Sequence, residues 1–401
     1  MRKVYIVLIV LLSAIGLWMN IAVHTAPPIG SAGERERLLH QLNYAQHRAH
    51  NGLGDEMQRL FPEGSDFTHA LYGLAWCGFA RSGDADDPER KRALREAIWA
   101  LAQMDRADVR ARFSPEAAPC YGAFHAGWRN MLLGRILEVQ GPDHDQVLLE
   151  QFVRNSAEIA RAFAGSPSPY LESYPGKAWP ADAVVAIASL SLHDRLMRPE
   201  YRDLIARWAK QVRARLDQRV LIPHEWDVVH DRVASGARGS SQALMNAFLP
   251  GIDTVLAKHQ YMWYRKWFLV QPMGLPVLRE HPHGVRKPGD IDSGPLIFGV
   301  GGAATLVNAA ATRANDQPIQ AHVSDAVSEA LAFGIGGHER RYFFGAMPIA
   351  DLFIAWARST PPAHPQHPGI AFKEFHAWSL ALLVLMWSPI LLPALRKRKA
   401  A

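Results

Sequence analysis

Residues Glu172–Leu196, ESYPGKAWPADAVVAIASLSLHDRL, decide how this chain is read. The segment opens with turn formers, Pro175 and Gly176, and with a Trp179-Pro180 step. Proline suits a first helical turn, where the N–H it lacks would have no intrahelical partner. Asp182 then falls in that turn, where free N–H groups and the helix dipole favour a carboxylate. From Ala181 to Leu192 only Asp182, Ser189 and Ser191 are polar, so the helix is apolar nearly all round and should be buried. A buried helix whose polar end sits behind a Trp/Pro loop reads as the wall of a pocket.

The same design recurs along the chain. Small-residue apolar helices begin near Asp66, Tyr121, Trp179, Gly239, Asp292 and Gly345, roughly 53–60 residues apart, beyond the period of single-hairpin solenoid repeats. Charged amphipathic segments alternate with them: Pro88–Met104, Asp145–Phe163, Pro199–Val220, Lys258–Val270 and Pro318–Phe333. The sixth unit lacks such a partner. Glu34–His50, with Leu38, Leu39, Leu42 and Tyr44 on its apolar side, is placed to supply one and close a ring. No alternating β-branched run bounded by hairpin turns competes with this reading. The expected fold is all-α, an (α/α)6 toroid of six helical hairpins over residues 34–359. Gly299, Gly301, Gly302, Ala303 and Ala304 would let one inner helix approach its neighbours closely. An open α-solenoid is the alternative, but it would show a more uniform consensus.

The chain has 401 residues, 49% of them hydrophobic, and a formal net charge of +6. Its basic residues are dispersed, except for Arg2, Lys3 and Arg396–Lys399, which flank apolar runs. They read as topology signals rather than a nucleic-acid footprint. Val4–Val23 is an uncharged run of bilayer-spanning length, and residues 1–23 read as an uncleaved anchor because Pro27 and Pro28 spoil a cleavage site after Ala26. Residues 24–33 form a linker and 360–374 a Pro/His-rich one. Residues 375–401 read as a C-terminal transmembrane helix with a basic tail. The positive-inside rule then puts both termini in the cytoplasm and the main domain in the periplasm, tethered to the inner membrane. Cys77 and Cys120 either pair in that oxidising space or remain buried thiols.

In such a ring the inner-helix starts converge on one mouth, whose free N–H groups attract developing negative charge. The site candidates are therefore His69, Tyr121, His125, Glu172, Tyr174, Trp179, Asp182, Arg238, Ser240, Ser241, Asp290, Asp292 and Ser293. Asp290 and Asp292, two residues apart, suit holding a hydroxyl or sharing a proton at mismatched pKa values; alternatively they are a turn former and a helix cap. Asp182 is likewise a proton carrier or a first-turn acid, and His125, beside Phe124 and Trp128, a general acid/base or a satisfied core histidine. Glu225-Trp226-Asp227 with Arg232 is a lid or a solvated connection. His281/His283 and His364/His367 have a spacing seen in metal sites, but no carboxylate or cysteine set accompanies them. No metal or other cofactor is expected, and no P-loop, GxSxG elbow or Rossmann fingerprint is present.

Three segments, HALYGLAWCGFA (from His69), YGAFHAGWRNMLLGR (from Tyr121) and WPADAVVAIASLSLHDRL (from Trp179), resemble the linalool dehydratase/isomerase family over roughly Leu38 to Arg358. The resemblance implies an (α/α)6 toroid exported to the periplasm and acid–base loss of water from an allylic alcohol. It makes His125 the family's histidine and Asp182 the acid of its Pro-Asp step, with Tyr44 and Gln46 near its first-helix Asp and Tyr. The family's two cysteines flank that step, where this chain has none.

The expectation is a membrane-tethered enzyme doing acid–base chemistry on a hydroxyl-bearing, lipophilic substrate. His125, Asp182 and Asp292 are its catalytic groups, and Tyr121, Glu172, Tyr174, Trp179, Arg238, Asp290 and Ser293 its substrate contacts. A glycan-active hydrolase, lyase or epimerase using Asp182 and Asp292 is one alternative, with Trp179, Trp226 and the Tyr261–Trp267 cluster as platforms. A non-enzymatic envelope binding protein is the other. A small lipophilic alcohol or a glycan is the expected partner, nucleic acid is not, and self-association is left open.

Overall fold

The computed structural model describes residues 2–84, 86–361 and 371–399. Sixteen α-helices account for most of them: α1 (Arg2–Ala22), α2 (Ala32–His50), α3 (Leu53–Gln58), α4 (Gly64–Arg81), α5 (Pro88–Met104), α6 (Ala107–Arg110), α7 (Gly122–Gln140), α8 (Gln146–Gly165), α9 (Pro180–Leu196), α10 (Arg202–Arg213), α11 (Gly239–Phe248), α12 (Thr254–Phe268), α13 (Gly302–Ala314), α14 (Pro318–Leu331), α15 (Pro348–Ser359) and α16 (Lys373–Lys399). Three antiparallel two-stranded hairpins interrupt them: β1 (Glu225–Asp227) with β2 (Arg232–Ser235), β3 (Leu269–Val270) with β4 (Val277–Leu278), and β5 (Leu296–Ile297) with β6 (Val300–Gly301). The chain is all-α with these small additions.

Two classes of helix are present, as patterning dictates. In α9 every residue from Pro180 to Leu190 is buried, and in α4 and α7 burial is almost as complete. In α10 only Ile205, Trp208, Ala209 and Val212 are buried, the i, i+3, i+4, i+7 stripe of an outer helix. The buried helices pack in the order α4, α7, α9, α11, α13, α15, and α15 packs in turn on α4. Outside them, α5 covers α4 and α7, α8 covers α7 and α9, α10 covers α9, α12 covers α11 and α14 covers α13. Helix α2 packs on α15 and α4, so the first long helix after α1 covers the last inner one.

The inner helices run parallel. Asp66 meets His125, and a Cβ on Gly73 would meet Leu132. Gly127 faces Ala186, and Asn130 Nδ2 donates to Ser189 Oγ at 3.0 Å and to Ser156 Oγ at 3.1 Å, pinning α7 to α9 and α8. A Cβ on Gly78 would lie 2.4 Å from Ser359 O, so glycine sets the closeness of the α4–α15 seam. Aromatic rings from four helices fill the axis. Phe67 lies 5.0 Å from Trp128 and 5.5 Å from Phe353, and Phe248 stacks on Trp356 at 5.7 Å between centroids.

Element starts match the sequence reading except in the fifth unit. Asp292 was expected to open a helix, but α13 begins at Gly302, and Asp292 sits in a turn ahead of β5 and β6. Glycines and Pro295 explain the difference: the run from Gly294 to Gly302 includes positive-φ Gly294 and Gly299, which favour a hairpin over a helix. The outer segment expected over Pro199–Val220 is helical only over Arg202–Arg213.

Val4–Ala22 within α1 is long and apolar enough to cross a membrane, with mean hydropathy 2.4. Helix α16 packs antiparallel to it: Tyr5 Oη donates to Met386 O at 3.3 Å, Trp387 Nε1 to Ser13 Oγ at 3.0 Å, and His376 Nδ1 lies 2.5 Å from Asn20 Oδ1. The base of this pair, Ala22, Val23, Phe372 and Phe375, packs on α14 and on the loop around Leu275. Trp18 stacks on Phe333, which stacks on Phe344, just ahead of α15.

Candidate active site at the inner-helix starts

Parallel inner helices bring their starts to one end. Glu63 precedes α4, Tyr121 caps α7 with φ 66, Trp179 caps α9 and Arg238 caps α11. The aromatic plug floors this mouth. Between the first turns of α4 and α7, Asp66 and His125 are both buried, and His125 Nδ1 lies 3.2 Å from each Asp66 oxygen. A carboxylate only accepts, so the proton resides on Nδ1 and the lone pair on Nε2, the tautomer of a base held by an acid. Phe113 at 5.3 Å and Tyr121 at 5.6 Å wall the ring.

Asp182, one helix further round, is buried and accepts from Ser173 Oγ at 2.5 Å. Burial pushes its carboxyl up to about 7; Ser173 opposes this, and the Glu63 and Asp292 charges add to it. Such a group exchanges its proton near neutrality. The Tyr174 hydroxyl oxygen is buried beside the Glu63 carboxylate. Burial first, then a hydrogen bond with Glu63, raises its pKa, and the nearby charges of Glu63, Asp182 and Asp66 act in the same direction. Asp292 is solvent-exposed, yet desolvation and then the Asp290 charge raise its carboxyl.

Arg238, Asp290 and Ser293 form a separate network, with Arg238 and Ser293 buried and Asp290 at its exposed edge. Arg238 Nε donates to the fully buried Glu280 at 2.7 Å, Nη2 donates to Asp290 Oδ1 at 2.7 Å, and Nη1 donates to Asp290 Oδ2. Asp290 also accepts from the Asp292 and Ser293 N–H groups at 3.2 Å, so Arg238, Asp290 and Ser293 are occupied in holding this loop against α11. Arg238 holds the Asp290 carboxyl well below the usual carboxylate range. The two aspartates are thus driven in opposite directions, and Asp292 is the free one. Arg238 Nη1 also donates to His224 Nε2 at 3.2 Å, so His224 carries its hydrogen on Nδ1 and gives it to Ser241 Oγ at 2.5 Å. Donating to the serine, His224 is not positioned as its base. Burial, then the Arg238 charge, lowers its pKa to about 3.

Other candidates are spent locally. Glu172 accepts from Gly176 N at 3.1 Å, and Trp179 packs edge-on against Tyr174. Ser240 Oγ donates to Glu280 at 2.8 Å. His69 Nδ1 bonds Ser65 O at 2.7 Å, and burial lowers its pKa to about 4, so it is a satisfied core histidine. Gln46 donates to Glu96 at 2.6 Å, and the Tyr44 hydroxyl accepts from Arg48 at 3.3 Å. Trp226, expected as an open platform, is buried against Tyr170. Cys77 and Cys120 are free, and burial pushes the Cys77 thiol up to about 12. His281 and His283 lie against the carbonyls of Pro288 and Leu269. His364 and His367 lie outside the described residues.

Sequence reasoning missed Asp66, Glu63, Ser173, His224 and Glu280 as members of these clusters. A signal for Asp66 was present: α4, α9 and α15 each carry an aspartate in the first turn, Asp66, Asp182 and Asp351. The chain matches no family model, and no curated protein matches it.

Proposed function

We propose that this protein is a membrane-tethered lyase or isomerase, an (α/α)6 toroid resembling the linalool dehydratase/isomerase family, acting on a lipophilic alcohol. The cyclic packing order of the six inner helices and the return of α2 onto α15 support the toroid. Helix α16 is a second span, both termini face the cytoplasm, and the ring stands in the periplasm; the antiparallel α1–α16 pairing and the basic residues at both ends support this.

The observation that carries the chemistry is the buried Asp66–His125 pair beside Asp182, whose carboxyl sits at about 7. In its neutral form Asp182 gives a proton to the leaving hydroxyl, the C–O bond breaks, and water departs. His125 Nε2 takes a proton from the adjacent carbon, and the C–H electron pair becomes the new double bond. Asp66 stabilises the imidazolium that forms. Run backwards, the same groups add water, and the two directions together move a hydroxyl along the substrate. Tyr174 and Asp292 hold the hydroxyl. The Trp18–Phe333–Phe344 stack sets the mouth beside α1, which favours a substrate drawn from the bilayer.

Full-length protein in detergent, incubated with envelope lipid extract and followed by mass spectrometry, should release a product lighter by one water. Asp182→Asn should slow this by about 100-fold, the loss typical of a general acid. No mass change with either protein, both folded, would end this reading. A second reading, acid–base cleavage of a glycan, rests on the coupling of Asp182 with Asp292. It would give shortened glycan with water added; buried Trp226 removes one of its platforms.

A further inference from the structure

The opposite end of the ring holds a cavity of about 330 Å3 where the C-terminal parts of α4, α7, α9, α11 and α13 converge. Arg81, Arg135 and Arg195 line it around a single carboxylate, Glu138. Arg135 Nη1 lies 2.7 Å and Arg81 Nε 3.3 Å from Glu138 Oε2, while Arg195 Nη2 lies 3.6 Å from Oε1. No other hydrogen bond engages these three side chains among the described residues. Their side chains remain 30%, 25% and 49% exposed while lining the cavity.

Cations at helix C-termini offset the dipole, and Arg81 and Arg195, in the last turns of α4 and α9, fit that role. Arg135 does not, since it stands five residues before the end of α7. Its presence makes the cluster self-repelling: burial first, then the Arg135 charge, lowers the pKa of both Arg81 and Arg195. One carboxylate leaves two positive charges uncompensated in a concave site. Guanidinium forks approaching one point from three helices match the oxygens of a tetrahedral oxyanion better than those of a planar carboxylate.

We propose that this basal cavity binds a dianionic phosphoryl group, as inorganic phosphate or a soluble phosphate monoester, through Arg81, Arg135 and Arg195. A lipid headgroup is the other source of that chemistry, but α1 and α16 pack beside the opposite end, at Phe333, Phe344 and Leu275, which directs this cavity away from their bilayer. The site is independent of the chemistry at the mouth.

The test is calorimetric titration of the full chain in detergent, in chloride buffer near neutral pH, with inorganic phosphate, glycerol 3-phosphate and dihexanoyl phosphatidylglycerol. Saturable one-to-one binding of phosphate or glycerol phosphate is expected. Arg135→Gln and Arg195→Gln should each weaken it by about tenfold or more, the worth of one charge-assisted contact. Glu138→Gln, which removes the competing carboxylate, should bind at least as tightly, and Arg202→Gln on exposed α10 should change nothing. Circular-dichroism melting separates lost binding from lost fold, and Arg195→Gln, the most exposed change, serves if Arg135→Gln unfolds. Absence of binding, binding insensitive to a folded arginine variant, or binding of the phospholipid alone would overturn the proposal.

Discussion

At the mouth Asp182 keeps its proton more readily in the folded chain than in the unfolded one. Its carboxyl rises from 3.8 to about 7 on burial, so folding is favoured by the protonated form. That contribution is whole below 3.8 and is lost as pH climbs through about 7, amounting to on the order of 4 kcal/mol for a shift of this size. Asp351 on α15, buried and also pushed up to about 7, acts in the same direction. Denaturant unfolding should therefore give a stability that falls between about pH 4 and about pH 7, and Asp182→Asn should flatten a large part of that fall. An unchanged slope in the variant would show that the carboxyl is ionised in the fold. The Pro180–Asp182 step made this residue visible in the sequence. Its surroundings were not visible, because Ser173 comes from the preceding loop and Glu63 and Asp292 from distant units. His125 was legible as a polar residue on an apolar helix; that Asp66 holds it follows only from the packing of α4 on α7.

Among the elements, the seams between inner helices depend on residues without side chains. Gly78 abuts the Ser359 backbone, and Gly127 would place a Cβ 3.1 Å from Ala186 Cα and Cβ. Gly78→Val should lower unfolding free energy by about 1–3 kcal/mol or more through overpacking, measured in denaturant. Gly165→Ala, which meets nothing within 4 Å at the end of α8, is the neutral control. Equal stability of both variants would mean that the α4–α15 seam yields without cost. Alternating apolar and amphipathic helices were readable because burial on all sides leaves a compositional mark. The hairpin of β5 and β6 was not, since Gly299, Gly301 and Gly302 serve a tight turn as well as a crowded helix. The placement of Asp292 was lost with it.

For the molecule as a whole, the two terminal helices pack on each other and, at their base, on α14 and the loop around Leu275. If α1 and α16 both span, protease added to sealed spheroplasts should digest the helical region between them and spare tags at both termini; digestion of either tag would refute the shared orientation. The apolar run from Val4 made the N-terminal helix legible as long enough to span, whereas the packing of α16 on α1 and the junction of Ala22 and Phe375 on α14 required the fold. That α15 rests on α4 also bears on synthesis. A ribosome releases α4 nearly 270 residues ahead of α15 (348 − 81 = 267), so the flank of α4 facing Gly78 stays bare through most of translation. Non-local joints of this kind form last and leave apolar surface open to other chains. Completion of the final hairpin, rather than of any single unit, is then the moment at which the nascent chain stops needing protection from its neighbours.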